Sequence, residues 1–233
     1  CLSGSKMIKA LIFDFDGLIL DTETPEFLVW QSIYMEHGHE LPAHEWIKTV
    51  GGYGLSNFDA AEHLTHLTQG QLDAVSLRAR HQVETTAVIA DNPILPGVEN
   101  IIYEAKKLGL KLAIASSSPH AWVDTHTKRL GIYDYFDKII CADDVPPGRT
   151  KPNPDLFLKA LDQLKVRKSE AIVFEDSPNG VKAAQSAGIF VVVVTNPTTS
   201  SLVFDGRFLK LNSLADLQLN NLLQSLKNGN PSA

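Results

Sequence analysis

The chain has 233 residues, 44% of them hydrophobic and 21% charged, which suits a globular protein with a sizeable core. Its formal net charge of −6 and the lack of a basic run exclude the electrostatic footprint of a nucleic-acid binder, and no apolar run approaches the roughly 20 residues that span a bilayer. Two cysteines, Cys1 and Cys141, at no metal-binding or disulfide spacing point to a reducing cytoplasm, and nothing in the composition announces a protein partner.

Residues 1–6 lack the apolar centre of a signal peptide and read as a cloning remnant. The apolar run from Lys9 to Phe13 reads as a buried strand, and Asp14 and Asp16 stand where it ends, before Gly17. Thr24-Pro25-Glu26 then offers an N-cap, a first-turn proline and an acid. Phe27, Trp30, Ile33 and Tyr34 recur at helical spacing up to Gly38. Further helices are expected over 59–67 and 71–88, with a glycine-rich connection at 50–56 that lacks the pattern of a P-loop. The segment 23–92 is therefore expected to be an all-helical insert, bounded after Asp91 by a run of breakers reaching Gly97.

From there helices and strands alternate. Helices are expected over 98–108, 122–130, 156–164 and 180–186, and strands over 111–115, 138–141, 171–174 and 190–194. A short strand at 208–211 and a closing helix over 214–226 complete the pattern, with a tail at 229–233. The alternation predicts a Rossmann-like parallel sheet covered by helices on both faces, built from 7–22 and 93–228.

In such a sheet ligands bind beyond the carboxyl ends of the strands. Reading those ends collects Asp14 and Asp16, then Ser116-Ser117-Ser118-Pro119, then Glu175-Asp176-Ser177-Pro178, with Thr150-Lys151-Pro152-Asn153-Pro154 ahead of a helix. Three times a polar residue followed by proline is expected to open a helix, at Ser118, Asn153 and Ser177, aiming helix N-termini at one place. Singly, each residue has an ordinary alternative: a serine that satisfies a turn, a solvated lysine, an acid that caps a helix. Together, the carboxylates, a hydroxyl and a lysine at successive strand ends indicate one phosphate-binding site. Carboxylates beside a phosphate call for a hard oxygen-liganded cation such as Mg²⁺.

These motifs, Asp14-Phe15-Asp16-Gly17, Ile114-Ala115-Ser116, Lys151-Pro152 and Glu175-Asp176-Ser177 with Gly180, resemble in order and spacing the haloacid dehalogenase superfamily, in its phosphatase and phosphomutase branch with a helical cap. The resemblance implies that Asp14 is the nucleophile and Asp16 the general acid and base. It implies that Lys151 offsets charge at the transferring group, and that Ser116, Ser117 and Lys151 bind the phosphate. It further implies that Asp14, Asp176, the Asp16 carbonyl and, through water, Glu175 hold Mg²⁺, and that the insert acts as a lid hinged at 20–23 and 92–97. The expected activity is hydrolysis of a small phosphomonoester, such as a sugar phosphate. The alternative is a phosphomutase like β-phosphoglucomutase, which places a histidine where Glu26 stands and a cap-loop arginine that 51–57 lacks. Glu26, Arg78 and Arg80 are the candidate specificity residues, the arginines as replacements for that missing one. A phosphate-binding module without catalysis is the third reading, disfavoured because Asp14, Asp16, Lys151 and Asp176 are all present.

Overall fold

The structure, a computed structural model, describes residues 7–50 and 57–229. The glycine-rich connection falls largely outside these residues, as do the amino-terminal remnant and most of the tail.

Six strands form one sheet: β1 (Ala10–Phe13), β2 (Lys111–Ala115), β3 (Lys138–Ile140), β4 (Ala171–Glu175), β5 (Phe190–Val194) and β6 (Leu209–Leu211). Their order is β3-β2-β1-β4-β5-β6, and every pairing is parallel. The chain thus winds outward from β1 to β3, returns to place β4 beside β1, and winds outward again. The reversal creates a crevice at the carboxyl ends of β1 and β4, where such sheets bind ligands.

The alternation of side chains along β1 explains why both faces need helices. Leu11 and Phe13 point into one apolar cluster with α5 (Val98–Lys107) and α9 (Leu219–Lys227). Ala10 and Ile12 point into another with α7 (Asp155–Leu164) and α8 (Pro178–Ser186). All four β1 residues are buried, which accounts for a continuous apolar run in place of an alternating one. Helix α6 (His120–Arg129) adds Val123 to the first cluster.

Between β1 and α5 lie α1 (Glu23–Glu36), α2 (Ala43–Ile47), α3 (Ala60–Leu67) and α4 (Ala74–Asp91). They share a separate cluster built on Val29, Trp30, Ile33, Tyr34, Trp46, Leu64 and Leu77. The Tyr34 hydroxyl donates to the Ala60 carbonyl at 2.7 Å and ties α1 to α3. The two chain segments that connect this block to the sheet lie side by side: Leu20 and Ile94 form an antiparallel bridge, and the Leu95 N–H donates to the Ile19 carbonyl at 2.9 Å. At the end of the second segment Gly97 has φ +85°, and a Cβ there would meet the Ala215 nitrogen at 2.1 Å, so neither the conformation nor the space admits a side chain.

Several local details depart from the sequence reading. Helix α1 begins two residues early, and the Thr24 N–H is capped by the Asp21 carboxylate at 3.0 Å instead of Thr24 acting as the cap. Helix α2 was not expected; five residues are too few to show a period. The closing helix is broken, with a 3₁₀ turn at Leu214–Asp216 before α9 begins at Leu219. Of the three polar-proline helix starts, only Ser177 caps with its side chain, accepting the Gly180 N–H at 3.1 Å. The caps of α6 and α7 are Pro119 and Pro154, because Ser118 and Asn153 are used elsewhere. Among the described residues no helix is long and apolar enough to cross a membrane.

One electrostatic tie at the amino end of the sheet can be isolated. Lys9 and Arg167 both reach Glu170 at 2.8 Å, and the Lys9 N–H donates to the Glu170 carbonyl at 2.7 Å. Hydrogen bonds from Arg167 and Lys9 lower the Glu170 pKa to about 2. A carboxylate depressed in the folded state stabilises above its unfolded pKa and loses that contribution as pH falls through the folded value. Glu170→Gln should therefore reduce the urea midpoint at pH 7, and the deficit should shrink through pH 4 and vanish near pH 2.

Candidate active site

Three carboxylates meet at the crevice between β1 and β4. Asp14 follows β1, Glu175 ends β4 and Asp176 follows it; their oxygens lie within 4.8 Å of one another, and all three residues are buried. A single ammonium enters this cluster. Lys151, whose side chain is 6% exposed, donates to Asp14 Oδ1 and, at 2.7 Å, to Glu175 Oε1.

Glu175 is the fixed member of the set. Its Oε1 faces Lys151, while its Oε2 accepts the N–H groups of Asp176 and Ser177 at 2.9 Å each and the Ser177 hydroxyl at 3.0 Å. The close approach of α8 depends on a missing side chain, because a Cβ on Gly180 would lie 1.7 Å from Glu175 Oε1. Gly17 plays the matching part for Asp176: its φ is +77°, and a Cβ there would lie 2.2 Å from Asp176 Oδ2.

Burial pushes the Asp14 carboxyl up to about 7, aided by the charge of Glu175 and opposed by Lys151. Asp176 is raised well above the ordinary range by burial and by the charges of Glu23, Glu175 and Asp14. Burial would lower Lys151, but the charges of Asp14 and Glu175 outweigh that and hold the ammonium charged. One ammonium facing three buried carboxylates leaves an excess of negative charge. An all-oxygen donor set in that state fits a hard divalent cation such as Mg²⁺.

Asp16 sits apart from this cluster. The Ser118 hydroxyl donates to its Oδ2 at 2.6 Å, the Trp122 indole N–H to its Oδ1 at 2.8 Å, and the Ser116 hydroxyl lies 3.5 Å from Oδ2. Ser116 is buried and accepts the Ser118 N–H at 3.0 Å, whereas Ser117 is exposed and faces the cleft. The loop after β2 thus serves Asp16, which is why Ser118 does not cap α6.

Asn196, in the loop after β5, joins the site from the other side. Its carbonyl oxygen accepts the N–H groups of Thr198 and Thr199 at 2.9 Å each, which fixes the amide orientation. Its amide nitrogen then donates to Asp176 Oδ2 at 2.9 Å, the Gly17 carbonyl at 3.0 Å and Glu23 Oε2 at 3.2 Å. Ser118, Trp122, Glu23 and Asn196 are the residues that sequence reasoning missed. Asn196 could have been found by reading the end of β5 as the other strand ends were read; Trp122 carried no such signal.

Over these groups lies a cleft of about 740 Å³, bordered on its far side by α1, α2 and α4. It is lined by Asp14, Asp16, Ser116, Lys151 and Asp176 from the strand ends and by Glu26 from α1. Arg78 and Arg80 are not among its lining residues. Arg78 pairs with Asp59 and Glu62 at 2.8 and 2.9 Å, and Arg80 with Glu36 and Glu84 at 2.8 and 2.6 Å.

A doubly wound sheet with paired aspartates after its first strand, a lysine and a second acidic pair at its switch point defines a class of hydrolases. Residues 8–188 match the family model of the haloacid dehalogenase-like hydrolases, and the chain belongs to that family. It is 42% identical over 224 residues to YhcW of Bacillus subtilis, a protein named provisionally as a phosphatase, covering 96% of this chain and 100% of that one. It is 30% identical over 185 residues to a phosphorylated carbohydrates phosphatase of Thermotoga maritima, covering 78% of this chain and 82% of the relative. Among solved structures, CbbY from Rhodobacter sphaeroides in complex with xylulose-1,5-bisphosphate superposes with a TM-score of 0.67 at 26% identity, over 91% of this chain and 96% of that one.

The lysine makes a direct test of this electrostatic balance. Removing one partner of a buried ion pair typically costs about 3–5 kcal/mol, because the remaining charge stays buried. Lys151→Met should lose about that much unfolding free energy at pH 8 without added metal, measured by urea denaturation. A loss no larger than that of an exposed lysine would show that the carboxylates do not rely on it.

Proposed function

We propose that the chain is a Mg²⁺-dependent phosphatase that hydrolyses a small phosphomonoester, a sugar phosphate or a similar metabolite, through a phosphate carried covalently on Asp14. The observation that carries this reading is the separate fixing of two carboxylates only two residues apart. Asp14 is held by Lys151 against the acidic cluster, and Asp16 by Ser118 and Trp122 on the other wall of the same cleft. A nucleophile and a proton carrier must be distinct groups that reach one reacting centre.

In this reading an Asp14 oxygen attacks phosphorus as the bond to the substrate oxygen breaks, and Asp16 gives that oxygen its proton. Asp16 then takes a proton from water, whose oxygen attacks phosphorus and releases Asp14 and inorganic phosphate. Lys151 neutralises charge next to the nucleophile throughout, and Ser116 and Ser117 face the phosphoryl oxygens. Asp14, Asp176 and the Asp16 carbonyl would hold Mg²⁺, with Glu175 supporting the site. When bound, the cation supplies the positive charge that lets a phosphate approach three carboxylates. Asn196 holds one oxygen of Asp176. The helical block 23–92 serves as a lid that limits water during transfer, with the paired segments at Leu20 and Ile94 as its hinge. The phosphomutase alternative draws no support from Arg78 and Arg80, which are committed to ion pairs outside the cleft. A reducing cytoplasm suits an enzyme whose Cys141 is a buried free thiol.

Phosphate release from p-nitrophenyl phosphate should require added Mg²⁺ and should be lost with EDTA or in Asp176→Ala; full turnover in metal-free protein would refute the metal dependence. A second prediction separates the aspartates. Asp14→Asn should abolish transfer to the enzyme with every substrate, since an amide is a poor nucleophile. Asp16→Ala should slow the second step by about 10²–10⁴-fold yet still give a burst of nitrophenol, because nitrophenolate departs without a proton. Rapid mixing with acid-quench detection of phosphoenzyme reads both; a burst from Asp14→Asn would reassign the nucleophile.

A further inference from the structure

The charge of the cleft is uneven along its length. Lys151 is the only lysine or arginine among its described lining residues, and its ammonium is already shared by Asp14 and Glu175. The far wall presents Glu26 from α1 and His81, Gln82, Thr85 and Thr86 from α4. Arg78 and Arg80 are paired elsewhere.

His81 does not supply the missing charge. Its Nε2 lies 2.9 Å from the Glu26 carbonyl, which can only accept, so Nε2 carries the proton. The ring stacks on Trp30 with centroids 4.3 Å apart, and burial lowers its pKa from the ordinary histidine value. Burial thus favours the neutral ring over the charged one. Burial, and after it the charge of Asp16, push the Glu26 carboxyl up to about 7, so Glu26 carries its full charge only above neutral pH.

We propose that the far end of this cleft receives an uncharged, polyhydroxylated skeleton and turns away a second anionic group, so that the substrate is a sugar or polyol carrying one phosphate, with Glu26 as the specificity-determining residue. The position of the single phosphate rests on the phosphatase reading. Hydroxyl groups donate to a carboxylate and exchange hydrogen bonds with the amide of Gln82 and the hydroxyl of Thr86. A second phosphate or a carboxylate would lose its water opposite Glu26 with no cation to replace it. Selectivity of this kind comes from an unpaired charge against the wrong ligand as much as from contacts with the right one.

The test is titration calorimetry on Mg²⁺-loaded Asp14→Asn protein, which binds without turnover, at pH 8, where Glu26 is ionised. The ligands are matched pairs that differ by one anionic group: glucose 6-phosphate and 6-phosphogluconate, fructose 1-phosphate and fructose 1,6-bisphosphate, glycerol 3-phosphate and 3-phosphoglycerate. In the pair that binds tightest, the singly phosphorylated neutral skeleton should bind about 30-fold or more tightly than its anionic partner. Adding Glu26→Gln should shrink that ratio about fivefold or more. An anionic partner that binds as well or better overturns the proposal, as does a panel in which no member binds more tightly than inorganic phosphate. A ratio unmoved by Glu26→Gln overturns the role of Glu26. Turnover of p-nitrophenyl phosphate by the unaltered enzyme is scored separately: its absence sinks the phosphatase reading, while the binding ratio is still measured.

Discussion

The contact between Lys151 and the carboxylates of Asp14 and Glu175 is the constraint on which the rest of the structure depends. Burying three carboxylates at the end of a parallel sheet is costly, and one ammonium relieves it only in part. The surroundings are shaped to keep the cluster in place. Gly17 and Gly180 let the first loop and α8 close upon Asp176 and Glu175, where any Cβ would overlap a carboxylate oxygen. The main chain after β4 turns its N–H groups onto Glu175. The remaining negative charge is a liability for a metal-free fold and suits the cation of the proposed reaction.

The architecture keeps that cluster rigid while leaving its cover separate. The sheet is locked between two apolar layers that meet across β1, so the loops at its carboxyl edge rise from a packed base. The helical block over the cleft has its own apolar cluster, and it joins the sheet through two segments lying side by side. Asn196 is placed where these parts meet: one side-chain amide touches the loop after β1, the buried carboxylate of Asp176 and the first residue of α1. A change in the position of α1 would therefore be felt at Asp176 through a single hydrogen-bonded group.

The cleft is divided by chemistry. Near the strand ends it combines an ammonium, hydroxyl groups and carboxylates suited to a cation and a phosphate. At the far wall it offers neutral donors and acceptors and one more carboxylate. The family supplies the first part. The second faces whatever skeleton carries the phosphate in the proposed reaction.

The strands, their parallel pairing and the gathering of polar residues at their ends were legible in the sequence. Buried parallel strands must be nearly all apolar, so runs such as Phe190–Val194 stand out, and residues that carry chemistry gather where those runs stop. The order of Asp14, Asp16, Ser116, Lys151, Glu175 and Asp176 along the chain pointed to one site because a doubly wound sheet brings its strand ends together. Their partnerships were not legible. Ser118 and Asn153 carry the pattern of helix caps, and only the fold could show that the Ser118 hydroxyl and the Trp122 indole turn to Asp16 and that Asn153 donates back to the Gly148 and Thr150 carbonyls. Arg78 and Arg80 looked available for a distal phosphate, but which carboxylates a long cationic side chain meets depends on helices brought together in space: Arg78 reaches α3 and Arg80 reaches α1. Local patterns record what each segment buries and where it turns. The direction in which a polar side chain spends its hydrogen bonds is decided only when distant segments pack, since its possible partners are neighbours in three dimensions and not along the chain.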